Sequence, residues 1–351
     1  KGIRYLVIDC GWYGGAKDWY RNIGDWEVNQ ETFPGGLKQA ADYIRSKGMI
    51  PGLWFEAENV ADQSKSYQNT AHLVKKDGLP LTVGQRRFWD MEDPWVTDYL
   101  DQKVIRTLKD CGFGYVKIDY NETMGMGCDG GDSLGESLYR KIAASQKFFQ
   151  RIRQEIPNIV IENCSSGGHR LEPSMMELVS QASFSDAHET LSIPLIAANL
   201  HAVIRPDQSQ IWAVIRANDS EERIYYSMIS TFLGRMCLSG DICDLSEKQW
   251  QLIQEGIRFY QKAADIIKHG VTIQRTCSTE SYNHPQGEQL VIRQWNSRRL
   301  IILHRFEHSH NIQPAFPSSA KIISEYGRAD RDFSAKAWIY ELPSASFLPS
   351  F

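Results

Sequence analysis

The chain has 351 residues, of which 39 are basic and 43 acidic, and its formal net charge is -4. A charge this small and this evenly spread argues against nucleic acid or an anionic membrane as a partner. No apolar run approaches the length of about 18 residues that marks a membrane-spanning helix. The length suits one large barrel or doubly wound domain with a smaller companion.

Strands and helices alternate along the first 266 residues. Concentrations of β-branched and aromatic residues predict strands at 5–9, 49–56, 115–120, 158–164, 181–186, 211–215 and 235–238. Apolar positions at helical spacing predict helices at 34–45, 94–110, 138–156, 172–179, 225–232 and 247–264. A polar stretch from 57 to 93 interrupts this alternation, and excursions of that length are typically functional.

The pattern changes after Gly270, where short apolar runs alternate with turn residues. Such a pattern is typical of a small all-β domain. We therefore predict two domains, a catalytic β/α domain at 1–266 and a β-sandwich-like domain at 267–351.

Acidic residues stand at the ends of five predicted strands: Asp9, Glu56, Asp119, Glu162 and Asp186. A TIM-type (β/α)8 barrel places its chemistry at the carboxyl ends of many strands, so it suits this series of seven units better than an open sheet. We expect the missing first strand upstream of Lys1, in a longer parent protein.

The central stretch, residues 115–121, presents Lys117, Asp119 and Asn121 on one side of a strand, because alternate strand residues share a face. A structural ion pair would produce the same pattern, so this stretch alone supports a structural role and a catalytic role equally.

Three classes of enzyme could use a barrel whose strands end in carboxylates. A glycosidase needs two of them, an enolase-type enzyme would arrange them around Mg²⁺, and a Schiff-base aldolase would use Lys117. Aromatic residues near the strand ends favour the glycosidase, because sugars stack on flat apolar rings. These residues are Trp12, Tyr13, Trp19, Trp26, Trp54 and Trp89.

Seven short motifs occur in a fixed order along residues 3–265. They are D-C-G-W-Y-G at 9–14, G-D-W at 24–26, F-P-G-G-L at 33–37, G-L-W-F-E-A-E at 52–58, K-I-D-Y-N at 117–121, E-N-C-S-S-G-G at 162–168 and S-D at 185–186. This series resembles that of glycoside hydrolase family 36, in the clan of α-galactosidases and α-N-acetylgalactosaminidases. The resemblance implies a (β/α)8 barrel, a C-terminal β domain, a retaining double displacement and a homo-oligomer.

The resemblance implies that Asp119 is the nucleophile and Asp186 the acid/base. The residues beside them agree with these roles. Lys117 supplies a cation that favours an ionised Asp119, and the apolar Phe184 favours a protonated Asp186. We expect the two carboxyl groups to lie about 5 to 6 Å apart, the retaining separation.

The resemblance also implies a set of sugar-binding residues. These are Asp9, Cys10, Trp54, Arg87, Lys117, Asn121, Cys164, Ser165 and Gly167. Of the Arg86–Arg87 pair, Arg87 is the residue expected to reach the sugar. Glu56, Glu58 and Glu162 could instead orient other side chains, as carboxylates at a barrel mouth commonly do.

Two departures from the family bear on the substrate. Cys10 stands where a second Asp helps to hold galactose, and a thiol cannot replace a charge-assisted acceptor. His169 replaces a Gly near the 2-position of the sugar. A β-L-arabinopyranoside or an α-linked N-acetylgalactosamine therefore remains an alternative to the α-galactoside.

We predict an exo-acting, α-galactosidase-like glycosidase that acts on oligosaccharides or glycosides with a terminal α-linked galactose-type sugar. Because carboxylates fill both chemical roles, no metal ion or other cofactor is expected. Seven cysteines without C-x-x-C spacing favour a reducing, cytoplasmic compartment. The alternatives of another class are a catalytically inactive carbohydrate-binding barrel and a Mg²⁺-dependent enolase-type enzyme.

Overall fold

The structure is a computed structural model that describes residues 2–15, 18–186, 190–310 and 312–343. The chain packs as two compact units, an N-terminal unit of residues 3–182 and a C-terminal unit of residues 183–351 together with residues 1–2. Within the described residues, none of the helices has the length and apolar composition needed to cross a bilayer.

Parallel strands form the centre of the N-terminal unit. They are β1 (Tyr5–Ile8), β2 (Ile50–Phe55), β8 (Tyr115–Ile118), β9 (Val160–Asn163) and β10 (Gln181–Ser183), neighbours in that order. All four residues of β8 are buried, as expected for a parallel strand covered on both faces. The register sets Phe55 beside Ile118 and Ile118 beside Asn163. The residues that follow β2, β8 and β9 are therefore brought to one edge of the sheet.

The polar excursion contains small antiparallel strands that the sequence did not predict. These are β3 (Asn59–Ala61), β4 (Lys75–Lys76), β5 (Leu79–Pro80), β6 (Thr82–Val83) and β7 (Arg86–Phe88). They form a three-stranded sheet in the order β3-β7-β6 and a separate β4-β5 pair. The three-stranded sheet holds Arg86 and Arg87 beside the segment that follows β2.

The helices of this unit are α1 (Gly36–Ser46), α2 (Pro94–Leu100), α3 (Arg106–Cys111), α4 (Leu134–Glu155), α5 (Ser165–Gly168) and α6 (Pro173–Met176). The single helix predicted at 94–110 is divided by a π-helical turn at Asp101–Ile105. It ends at Gly112, whose φ of 72° gives the left-handed cap that glycine favours.

The C-terminal unit contains two parallel strands and a larger antiparallel sheet. Its elements are α7 (Ile193–Leu200), β11 (Ser209–Ile215), α8 (Glu221–Ser230), β12 (Arg235–Gly240), α9 (Glu247–His269), β13 (Val271–Cys277), β14 (Glu288–Trp295), β15 (Arg298–Arg305), β16 (Lys321–Arg328) and β17 (Ala335–Glu341). The last five strands form one sheet in the order β13-β14-β15-β17-β16.

Each predicted strand and helix has a counterpart in the structure, whereas the short α5 and α7 were not predicted. The antiparallel strands begin at Val271, directly after α9. This sheet packs on α8 and α9, and Tyr326 Oη donates a hydrogen bond of 3.0 Å to the backbone of Leu252. Packing thus groups the last two parallel strands with the C-terminal sheet, and the predicted domain boundary at 266–267 stays a prediction.

Candidate active site

Asp119 follows β8 and is buried, with 6% of its surface exposed. Its Oδ1 accepts hydrogen bonds from the backbone N–H groups of Tyr120 and Ser166, both at 2.9 Å. Its Oδ2 accepts one from Nε1 of Trp54 at 3.2 Å. Donors on three separate segments fix both carboxylate oxygens, and hydrogen bonds to an ionised acceptor are the strong ones.

Lys117 and Asp9 form an ion pair beside this carboxylate, with 3.0 Å between Lys117 Nζ and Asp9 Oδ2. Burial alone would lower the pKa of Lys117. The neighbouring Cys164, Glu162, Asp9 and Asp119 groups outweigh burial and raise that pKa above its ordinary value. Lys117 is therefore a stable ammonium ion, whereas a Schiff-base lysine needs a lowered pKa.

Cys10 lies next to this ion pair. Its backbone N–H donates to Asp9 Oδ1 at 2.8 Å. Burial, reinforced by the charge of Asp9, raises the pKa of the Cys10 thiol to about 12. The thiol is thus uncharged at neutral pH and offers a sugar hydroxyl only a weak acceptor.

Asn121 is held by Glu56, which follows β2. The backbone N–H and Nδ2 of Asn121 donate to the two Glu56 oxygens at 3.1 and 2.8 Å. The guanidinium of Arg86 lies 3.1 Å from Glu56 and 3.8 Å above the ring of Tyr20. Burial raises the pKa of Glu56 to about 7. Glu56 thus orients Asn121, as expected for a carboxylate that supports other side chains.

Arg87 points to a different neighbour. Its guanidinium donates to the backbone oxygen of Tyr67 at 2.8 Å and lies 3.9 Å above the ring of the same residue. Arg86, and not the predicted Arg87, is the arginine that contacts Glu56. A sugar contact for Arg87 stays a prediction.

The turn at 164–168 supplies the Ser166 N–H group. The φ angles of Ser165, Ser166 and Gly167 are 46°, 58° and 68°, so all three are left-handed. The Cys164 N–H donates to the backbone of Ile118 at 2.9 Å, which joins this turn to β8. The structure therefore brings the predicted sugar-binding turn next to Asp119.

The predicted aromatic group forms for five of its six members. The rings of Trp12, Tyr13, Trp19, Trp26 and Trp54 lie in mutual contact. Trp89 packs instead against Trp95 and Tyr99. Trp54 is almost fully buried, and its Nε1 is turned toward Asp119.

Comparison with models of protein families gives a match over most of the chain. The melibiase family model matches residues 1–270. The chain belongs to the melibiase family. Because the model covers most of the chain, the predicted resemblance to the family 36 α-galactosidase type is confirmed.

Several curated relatives that match this chain are named α-galactosidases. AgaA of Geobacillus stearothermophilus is 27% identical over 287 residues, which are 77% of this chain and 38% of the relative. The probable α-galactosidase G of Aspergillus terreus is 25% identical over 341 residues, 90% of this chain and 44% of the relative. The chain thus spans less than half the length of these melibiase relatives.

Solved structures confirm the predicted fold class. The crystal structure of AgaA has a TM-score of 0.83, with 22% identity, and covers 97% of this chain and 51% of its own. An AgaA variant in complex with raffinose gives the same TM-score, identity and coverage. At this identity the likeness shows the fold alone, a TIM-type β/α barrel with a C-terminal antiparallel β domain.

Asp186, the predicted acid/base, is exposed and follows the buried Phe184. It belongs to the C-terminal unit, and residues 187–189 after it lie outside the described residues. Its separation from Asp119 stays a prediction.

Two residues linked to this site, Arg170 and Ser145, were missed in the sequence. Arg170 contacts Ser165 and Glu58, and Ser145 contacts Glu58. Glu58 and Arg170 are 112 positions apart in the chain. No local pattern could have paired them, although Glu58 itself stands in a recognised motif.

Proposed function

We propose that this chain carries the catalytic region of a retaining, α-galactosidase-like glycoside hydrolase. Its substrates would be oligosaccharides or glycosides with a terminal α-linked galactose-type sugar. Membership of the melibiase family supports this proposal, as do relatives named α-galactosidases and family structures that contain raffinose or stachyose.

The observation that carries the proposal is the environment of Asp119. A nucleophilic carboxylate must be aimed at the reacting carbon, and donors from Trp54, Tyr120 and Ser166 hold both oxygens of Asp119 in one orientation. The Lys117 ammonium ion and Asn121 stand on the same strand end, where hydroxyl groups of a bound sugar would find polar partners.

The reaction would proceed by two displacements. Asp119 attacks the anomeric carbon while Asp186 gives its proton to the glycosidic oxygen, so the bond to the leaving group breaks and a glycosyl ester forms. Asp186 then takes a proton from water, whose oxygen attacks the anomeric carbon and releases Asp119. Two inversions retain the configuration.

Replacement of the nucleophile tests this proposal. Asp119→Gly is expected to abolish hydrolysis of p-nitrophenyl α-galactoside, and azide should partly restore release of p-nitrophenol. The product should be β-galactosyl azide, because azide then makes the single, inverting attack. The wild-type protein with azide is the control. The proposed roles of Asp119 and Asp186 would be wrong if azide failed to restore p-nitrophenol release by Asp119→Gly and if Asp186 variants were still active.

The neutral thiol of Cys10 favours a second candidate substrate. Without a charged acceptor at this position, a sugar that lacks the 6-hydroxymethyl group competes with galactose. His169, in place of a Gly near the 2-position, favours a sugar with a 2-acetamido group as the other alternative. Rates on p-nitrophenyl α-galactoside, α-N-acetylgalactosaminide and β-L-arabinopyranoside distinguish the three. Activity on the N-acetylgalactosaminide alone would replace the α-galactosidase assignment.

A further inference from the structure

The turn that holds the Asp119 carboxylate has a backbone that is costly to form. Ser165 and Ser166 are successive residues with side chains and both adopt left-handed φ angles. Side chains disfavour this conformation, so neighbouring contacts must hold it. The Ser166 N–H group reaches Asp119 Oδ1 only while this turn keeps its shape.

Arg170 is the residue that links this turn to its surroundings. Its Nε donates to Ser165 Oγ at 2.7 Å, and one terminal nitrogen donates to Glu58 Oε1 at 2.8 Å. Its guanidinium carbon lies 4.3 Å from the centre of the Tyr120 ring. One planar cation therefore contacts the turn, a carboxylate and an aromatic face, a combination that lysine cannot reproduce.

Each end of this link is itself fixed. Glu58 is almost fully buried, and its Oε2 accepts a hydrogen bond of 2.6 Å from Ser145 on α4. Ser165 Oγ donates to the side chain of Asn163 at 2.7 Å. The guanidinium of Arg170 thus has rigid partners, which a residue needs in order to position others.

The two backbone donors to Asp119 Oδ1 both belong to residues that lie at or next to these contacts. Tyr120 carries one donor and its ring lies against Arg170, while Ser166 carries the other and follows Ser165. We propose that Arg170 is a positioning residue that sets the Asp119 carboxylate through these two N–H groups, with Glu58 fixing its guanidinium. The proposal rests on the nucleophilic role of Asp119 proposed above.

Kinetics in two backgrounds test the role. With p-nitrophenyl α-galactoside, Arg170→Met should lower kcat about 100-fold with little change in KM, the effect of displacing a reacting group by about 1 Å. Arg170→Lys and Glu58→Gln should lower kcat by a smaller factor. Arg151→Met, which breaks only an exposed ion pair with Asp101, is the matched control and should behave as wild type.

The second background is Asp119→Gly with azide, where no carboxylate remains to be positioned. There Arg170→Met should change the azide-dependent rate less than about twofold, because two residues that act through one group are not additive. An equal loss in both backgrounds would overturn the proposal, since Arg170 would then serve the sugar site or the fold in general.

Amide hydrogen exchange tests the turn without any turnover. The amides of residues 165–168 should exchange faster in Arg170→Met than in wild type or Arg151→Met. Unchanged exchange would overturn the proposal. Azide that fails to rescue Asp119→Gly would instead refute the proposed nucleophile, and the exchange result would still decide whether Arg170 holds the turn.

Discussion

At the scale of single residues, the site depends on hydrogen bonds that point at Asp119. Sequence comparison assigned Trp54 to the sugar ring, yet its Nε1 donates to Asp119 Oδ2 and its ring is almost fully buried. The indole therefore holds the Asp119 carboxyl group as well as packing among the neighbouring aromatic residues.

Trp54→Phe tests this donor, because it keeps an aromatic ring and removes Nε1. A hydrogen bond to a charged group contributes about 1.5 to 3 kcal/mol, so kcat for p-nitrophenyl α-galactoside should fall roughly 10- to 100-fold. Trp95→Phe, in the separate stack with His72 and Tyr99, is the control. An unchanged kcat in Trp54→Phe would show that the indole donor is dispensable.

At the scale of elements, the ends of β2 and β8 are joined by polar contacts. The Asp119 N–H donates to the Phe55 backbone at 2.7 Å, and Glu56 accepts two hydrogen bonds from Asn121. Arg86 from β7 completes this contact. The two strand ends are thus held in a fixed relation by a carboxyl group that is fully buried.

The burial of Glu56 predicts how stability depends on pH. Its pKa rises from 4.5 to about 7 on folding, because burial and the Asp119 charge outweigh Arg86 and Asn121. Between these values the folded protein keeps a proton that the unfolded chain releases. The contribution of Glu56 to stability is therefore complete below pH 4.5 and falls as pH rises to 7.

Denaturant unfolding of wild type and Glu56→Gln at pH 5, 6, 7 and 8 measures this effect. The free energy of unfolding of wild type relative to Glu56→Gln should fall by roughly 2.5 kcal/mol over this range. A difference that stays constant with pH would mean that Glu56 does not change its protonation there.

The elements themselves were largely predictable. Continuous apolar runs such as the one in β8 and regular spacing in α4 and α9 identify their type. The short strands β3 to β7 were not predictable, because runs of two or three residues carry no periodicity. The π-helical turn between α2 and α3 was also not predictable, because its residues are ordinary helix formers.

At the scale of the whole molecule, ordered motifs predicted the family and the fold, and the family model and solved structures confirm both. The motifs also placed Asp9, Trp54, Lys117, Asn121 and the 164–168 turn near Asp119, where the structure has them. The contacts among them come from residues far apart in sequence. Only the folded structure shows that Glu58 pairs with Arg170 and that Glu56 pairs with Arg86.

Covalent trapping tests the central claim, that Asp119 is the nucleophile of a retaining glycosidase. The protein is incubated with 5-fluoro-α-galactosyl fluoride, digested, and its peptides are analysed by mass spectrometry. A fluorogalactosyl adduct on Asp119, absent from Asp119→Asn, is the predicted result. An adduct on a different residue, or none while the α-galactoside is hydrolysed with inversion, would contradict the account.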